Sequence, residues 1–215
     1  WMGWLCCFCS IFILSMHGAS YVAFRTEGDL RKCFTRLQWV FGILFLIFFT
    51  ATGFVVAYHV PGYVLDHSPV YATGHPLENV VHVQVGAWLS SYHDHWWKIV
   101  GPILAYVGVV FCLSASISKH PIWSFWGSVI AVFGTISTAG FALFPFIVPS
   151  SSNPAQSLTV WNVTSSYYSL SSVLIITIVL LVVIIAYKIF AYAVVWRNKS
   201  TLTEADLKAD PHTYY

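Results

Sequence analysis

A chain of 215 residues in which 58% are hydrophobic, 18% aromatic and only 8% charged, with a mean hydropathy of +0.73, is too apolar for a water-soluble globule of this size. Its solvent is lipid. A formal net charge of +2 and the lack of any Lys/Arg-rich arm argue against nucleic acid as a partner.

Five uninterrupted apolar stretches follow one another along the chain, at 1–24, 37–60, 99–117, 122–148 and 170–196. Each can cross roughly 30 Å of hydrocarbon at about 1.5 Å per residue. Lys188 is the only charge inside them, two turns from the end of the last stretch, where its stem can snorkel to the headgroups. Barrel strands would alternate apolar and polar residues, and these runs do not. The expected fold is therefore an all-α integral membrane protein: an antiparallel four-helix bundle plus one peripheral helix. The fifth helix is the expected peripheral one, because 173–183 is apolar on every face. Gly101, Ala105, Gly127, Ala131 and Gly134 offer the third and fourth helices close-contact faces. The bundle takes residues 1–196 and a cytoplasmic tail 197–215, with no repeat and no linker between domains. The first stretch lacks a basic region ahead of it and a small-residue cleavage site, so it does not read as a cleavable signal. The chain reads as a segment of something longer.

Basic residues orient the helices. If the chain enters from outside, Arg25, Arg31, Lys32, Arg36, Lys119, Arg197, Lys199 and Lys208 fall on one side and Lys98 alone on the other. That bias puts the 25–36 loop, the 118–121 turn and the C-terminus in the cytoplasm, with the N-terminus outside. In the first outer loop, Leu77, Val81, Val85, Trp88, Tyr92 and Trp96 recur at steps of three and four. This spacing predicts a short amphipathic helix from Pro76 onward, lying across the outer mouth with Trp96 and Trp97 at the interface. The fourth helix should bend at Pro145 and stop by Pro149, which pushes Val148 out of helical geometry. Its freed carbonyls need partners, for which Ser150, Ser151, Asn153, Thr159 and Asn162 are close in sequence, and Trp161 can anchor the loop. Thr164, Ser165 or Ser166 can cap the last helix.

Candidate chemistry is sparse. His75, Glu78 and His82 have metal-ligand spacing only if the outer helix forms, and solvated interfacial residues are the default. His93 and His95 diverge on a helix. Cys6, Cys7 and Cys9 lack the separated pairs of a zinc or iron–sulfur site and read as small apolar filling; Cys33 and Cys112 imply no disulfide framework. His17 and His59 are the only histidines within spans, and roughly 20 Å of depth separates them, so one haem iron cannot bridge them. His17 should instead hydrogen-bond within the bundle. No Asp or Glu lies inside a span, which argues against a proton path through these helices. No catalytic residue and no metal ligand is assigned, and a cofactor-binding residue is not identified.

Specific strings add a resemblance. Met16-His17-Gly18-Ala19-Ser20-Tyr21 and Arg25-Thr26-Glu27-Gly28-Asp29-Leu30 are followed by Gly62-Tyr63-Val64, Asn79 and Gly86-Ala87-Trp88-Leu89. Then come Ala139-Gly140-Phe141-Ala142-Leu143-Phe144-Pro145-Phe146-Ile147-Val148-Pro149-Ser150-Ser151 and Ser157-Leu158-Thr159-Val160-Trp161-Asn162. In this order they resemble the C-terminal half of subunit II of the cytochrome bd quinol oxidases, across essentially the whole chain. The family pattern usually has an acid where this chain has Asn162, and the subunit's N-terminal half has no counterpart here. The resemblance implies a bacterial inner-membrane enzyme that oxidises quinol and reduces oxygen, with two b haems and a haem d in a separate subunit I. It also implies, as partners, subunit I, the N-terminal half of subunit II on the same or another polypeptide, small accessory subunits and lipid, with a structural quinone between apolar helices. This chain would ligate no haem and would stabilise the haem-bearing subunit, inactive by itself. His17, Gly18, Trp88, Pro145, Phe146, Pro149, Trp161 and Asn162 are the structural or interface candidates. A helical transporter or channel fragment, or a membrane scaffold without redox partner, is the alternative, though intramembrane charges and midplane helix breaks are missing.

Overall fold

The computed structural model describes residues 2–65, 81–90, 92, 95–161, 163–195 and 201–203. It contains five long helices: α1 (Met2–Arg25), α2 (Gly28–Tyr58), α3 (Val100–Ile117), α4 (Pro121–Leu143) and α5 (Tyr167–Val195). All five are long and apolar enough to cross a membrane, the third counted from Trp96.

The first four helices close a ring. α1 packs on α2 and α4, α2 on α3, and α3 on α4. Two short turns, Thr26-Glu27 and 118–120, make the pairs α1/α2 and α3/α4 antiparallel. The α3/α4 contact is the closest because it is built from small residues. A Cβ on Gly127 would stand 2.6 Å from the Cys112 amide nitrogen, and one on Gly108 or Gly134 would strike the backbone of Ala131 or Ala105. In lipid, such close approach supplies the dispersion contacts that hold helices together. The centre of the ring is filled by Cys9, Ile13, Met16, Phe45, Val109, Cys112, Leu113 and Ala131.

α5 stands apart, as its uniformly apolar sequence predicts. None of its residues is buried, and Tyr192 edges onto Tyr21 of α1 with ring centroids 6.4 Å apart. Its start is capped by Ser166, whose Oγ accepts from the Ser169 amide at 3.4 Å.

Three expectations are corrected. α2 starts at Gly28, not near residue 37, because 29–36 contains no helix breaker and is helped by the exposed Asp29–Lys32 pair at 2.8 Å. What looked like a twelve-residue cytoplasmic loop is mostly helix. α4 ends at Leu143, well before Val148: Pro145 has no amide to donate, and Phe146–Val148 instead forms a strand, β3, paired with β4 (Leu158–Thr159). The amphipathic helix expected from Pro76 does not continue through residues 81–97. Val81–Val85 is a strand, β2, antiparallel to β1 (Pro61–Leu65) in the register Pro61↔Val85 to Leu65↔Val81. The same residues satisfy both periods, and alternation of Val81, Val83 and Val85 with His82 and Gln84 wins because β1 lies beside them. Leu77, Glu78 and Asn79 lie outside the described residues, and Trp96 and Trp97 open a single tight turn leading into α3.

The chain thus has two differing ends. One carries the two turns and the returning tail, where the Leu202 amide donates to the Arg25 carbonyl at 2.9 Å and the Glu27 amide to the Leu202 carbonyl at 3.0 Å. The other carries both small sheets.

Candidate functional site

The sheet-bearing end is shaped by two glycines. Gly86 has φ of +76°, and a Cβ there would stand 2.5 Å from the Ala57 carbonyl oxygen, so only glycine turns the chain here without strain. That turn lays Ala87 and Trp88 over Gly62, where a Cβ would lie 2.6 Å from the Trp88 amide nitrogen. Trp88 is held by its indole, which donates to the Pro61 carbonyl at 3.2 Å. Its ring meets Tyr63 edge-on at 5.4 Å and Phe146 at 6.0 Å, and Tyr63 and Phe146 are also 6.0 Å apart. Three rings from β1, β3 and the turn after β2 therefore form one cluster, with Phe146 buried.

Pro145 sits beside this cluster, and its carbonyl accepts from the Val160 amide at 3.0 Å. Of the expected partners, Ser150 and Asn153 turn to the loop instead. Ser150 Oγ accepts from the Asn153 amide at 3.3 Å, and Asn153 Oδ1 from the Ala155 amide at 3.2 Å, while Ser157 Oγ accepts from the Ser150 amide at 3.0 Å. Pro149 follows β3 directly. Trp161 is half exposed and meets Phe144 at 6.5 Å, while the buried Lys98 ammonium lies 5.3 Å from the opposite partner of that pair, the Phe144 ring. Tyr92 donates to the Thr138 carbonyl at 2.9 Å, and burial pushes its phenol up to about 12. Asn162 lies outside the described residues, as do His75, Glu78 and His93.

His17 and Gly18 belong to the other half of the molecule. Gly18 is exposed with nothing within 4 Å of a Cβ, so it makes no close contact within the chain. His17 Nδ1 is 2.8 Å from Ser128 Oγ, which is 2.8 Å from Ser20 Oγ, and the imidazole stacks on Phe125 at 5.3 Å. Alongside runs a second polar group that the sequence reading missed. Gln38, fully buried, donates its amide to Ser124 Oγ at 2.6 Å and to Cys112 Sγ at 3.0 Å, and Ser124 donates to the Cys112 carbonyl at 2.8 Å. The available signal was position: Gln38 falls at the start of an apolar run, two residues past Arg36 of its charged flank.

Chemically, the aromatic cluster offers packing surface without an acid–base pair. Among the described residues no three His, Cys, Asp or Glu side chains come together as a metal site. A single haem iron shared by His17 and His59 fails a geometric test. α2 runs unbroken from Gly28, which places His59 about 30 Å along the bundle from His17 by helical rise, and one ring nitrogen of His17 is engaged with Ser128. These two histidines do not fit one bis-histidine haem.

A family model for cytochrome bd terminal oxidase subunit II matches residues 1–195. The chain is 33% identical over 193 residues to a probable cytochrome oxidase subunit 2 of Haemophilus influenzae, covering 88% of this chain and 50% of that protein. It is 31% identical over 212 residues to the cytochrome bd-I ubiquinol oxidase subunit 2 of Escherichia coli K12, covering 96% of this chain and 54% of that protein. The chain thus spans about half the length of the curated relatives it matches. With five membrane-crossing helices and a match along nearly its whole length, this multi-pass membrane protein belongs to the cytochrome bd terminal oxidase subunit II family.

Proposed function

We propose that the chain is the non-haem-ligating, C-terminal part of subunit II of a bd-type quinol oxidase, and that it stabilises a haem-bearing subunit I while quinol is oxidised and oxygen reduced to water. The observation that carries this reading is the contrast between a ring of four helices with its own core and a fifth helix with no buried residue. Two b haems and haem d belong, in this reading, to subunit I. The remaining half of subunit II, on this polypeptide or another, small accessory subunits, lipid and a structural quinone complete the assembly.

The chain lies in the bacterial cytoplasmic membrane, with the sheet-bearing end and the N-terminus outside and the turn-bearing end in the cytoplasm. Support comes from the basic residues, since Arg25, Arg31, Lys32 and Lys119 all sit at the turn-bearing end. Trp88, Tyr63 and Phe146 then form an outer aromatic cap, with Trp161 on Phe144 beside it, and Pro145 and Pro149 fix the segment that carries Phe146. Purification through a tag on this chain tests the proposal: a haem-rich polypeptide should accompany it, and the visible spectrum of the complex should carry a haem d band. Recovery of the chain in a folded, haem-free assembly would overturn the reading.

A further inference from the structure

At the turn-bearing end the four-helix ring borders a half-open cavity of about 370 Å³. We propose that this cavity holds the phosphate headgroup of one anionic membrane phospholipid. Its wall carries three cationic side chains, Arg31 and Lys32 from α2 and Lys119 from the α3–α4 turn, and no carboxylate among the described residues. Asp29, next to the wall, pairs with Lys32 at 2.8 Å and offsets that one charge in part. Arg31 is steadied through Nε, which donates to the Thr26 carbonyl at 2.7 Å. That bond leaves the terminal guanidinium nitrogens, the pair suited to a phosphate fork, without a partner among the described residues.

Two further features lie at the same wall. Ser116, part of the wall, has a buried hydroxyl with no hydrogen-bond partner among the described residues. Buried hydroxyls are ordinarily satisfied, so this is a polar group that the wall itself leaves unserved. Lys119 is the only described non-glycine residue with positive φ, at +57°, a conformation that is uncommon for any side chain but glycine or asparagine. The conformation closes the end of α3, where the Lys119 amide donates to the Ser116 carbonyl at 3.3 Å and the His120 amide to the Ala115 carbonyl at 3.1 Å, and it leaves the lysine beside the cavity. Two helices, α2 and α4, also begin at this wall, at Gly28 and Pro121, with their free amides at the same level.

The source of the anion follows from place and size. The cavity lies where spanning helices end, at headgroup level, and its floor descends to Ala23 and Ser124 within the helices. The volume exceeds what inorganic phosphate alone would fill and falls at the low end of ligand sites of about 300–1,000 Å³. The assignment needs only the membrane placement of the chain, not the oxidase reading.

The test uses the full-length protein with whatever chains accompany it, exchanged into nanodiscs of phosphatidylcholine with or without phosphatidylglycerol. Lipid retained after detergent release is then weighed by native mass spectrometry. One phosphatidylglycerol per chain should be retained in preference to phosphatidylcholine. Lys119→Gly, which removes the charge while suiting the left-handed backbone, and Lys32→Gln should each weaken retention about fivefold, as expected for one charge near a headgroup. Millimolar inorganic phosphate should leave the lipid in place. Equal retention of the two lipids, or unchanged retention in a Lys32→Gln/Lys119→Gly double variant of unaltered thermal stability, would overturn the proposal. Displacement by inorganic phosphate, with phosphate itself retained, would overturn the lipid as the source.

Discussion

At the scale of single residues, polar groups inside lipid are where stability is most concentrated. Gln38 is fully buried and ties α2 to both α3 and α4 through Cys112 and Ser124. Bonds between helices in a membrane contribute about 1–2 kcal/mol at most, because the separated helices find other partners. Gln38→Leu should therefore lower stability by about 1 kcal/mol, read from the unfolding midpoint in a mild-detergent titration, and should not change the helix content. Tyr92 gives a pH-dependent counterpart. Its phenol ionises at about 12 in the folded chain against an ordinary 10, since burial disfavours phenolate. A raised acid stabilises the fold fully below the unfolded value, and that contribution is lost as pH climbs from 10 towards 12. Tyr92→Phe should lose one hydrogen bond at neutral pH, about 1 kcal/mol, and its melting temperature should fall less steeply than that of the native chain above pH 10.

At the scale of elements, the end of α4 shows how one proline redirects a helix into a sheet. Pro145 cannot donate, its carbonyl takes the Val160 amide, and β3 places Phe146 against Trp88 and Tyr63. Under the proposed function, Pro145→Ala lets the helix compete for Phe144–Phe146 and loosens the cap. The expected outcome is less assembled haem-bearing complex, measured as haem per tagged chain, with turnover per assembled complex nearly unchanged. Unchanged assembly with quinol oxidation selectively lost would instead make the cap a functional site. The first hairpin carries a different lesson. Steps of three and four among Val81, Val85 and Trp88 fit a helix, yet period two fits equally well, and only the neighbouring β1 decides between them.

At the scale of the whole molecule, the ring and the fifth helix should respond differently to the same kind of change. Phe45 has no exposed surface and stacks on Phe49 at 5.2 Å, whereas Ile178 in α5 is half exposed. Phe45→Ala should cost about 3 kcal/mol, and Ile178→Ala should leave the melting temperature of the isolated chain unchanged. A loss confined to the assembled complex for Ile178→Ala would mark α5 as a partner-facing helix. Sidedness is open to direct measurement. In a background with the five native cysteines replaced, Val83→Cys should react with a membrane-impermeant thiol reagent in intact cells, and Glu27→Cys only after lysis. The opposite pattern would invert the proposed orientation.

The amino-acid sequence by itself determined the class, the five spans and the isolation of α5, because those follow from how many consecutive residues avoid water. It also carried the family, in strings such as Ala139 to Ser151 that tolerate little rewording. Helix ends were less legible: charged residues 29–36 can extend a helix beyond the lipid-matched run, and apolar residues 146–148 can leave one. The sheets, the aromatic cluster, the Gln38 network and the cationic cavity were decided only by the tertiary structure. Each joins residues from different helices or distant segments. Hydropathy reports what a residue prefers as solvent, and it holds no record of which neighbour supplies that solvent.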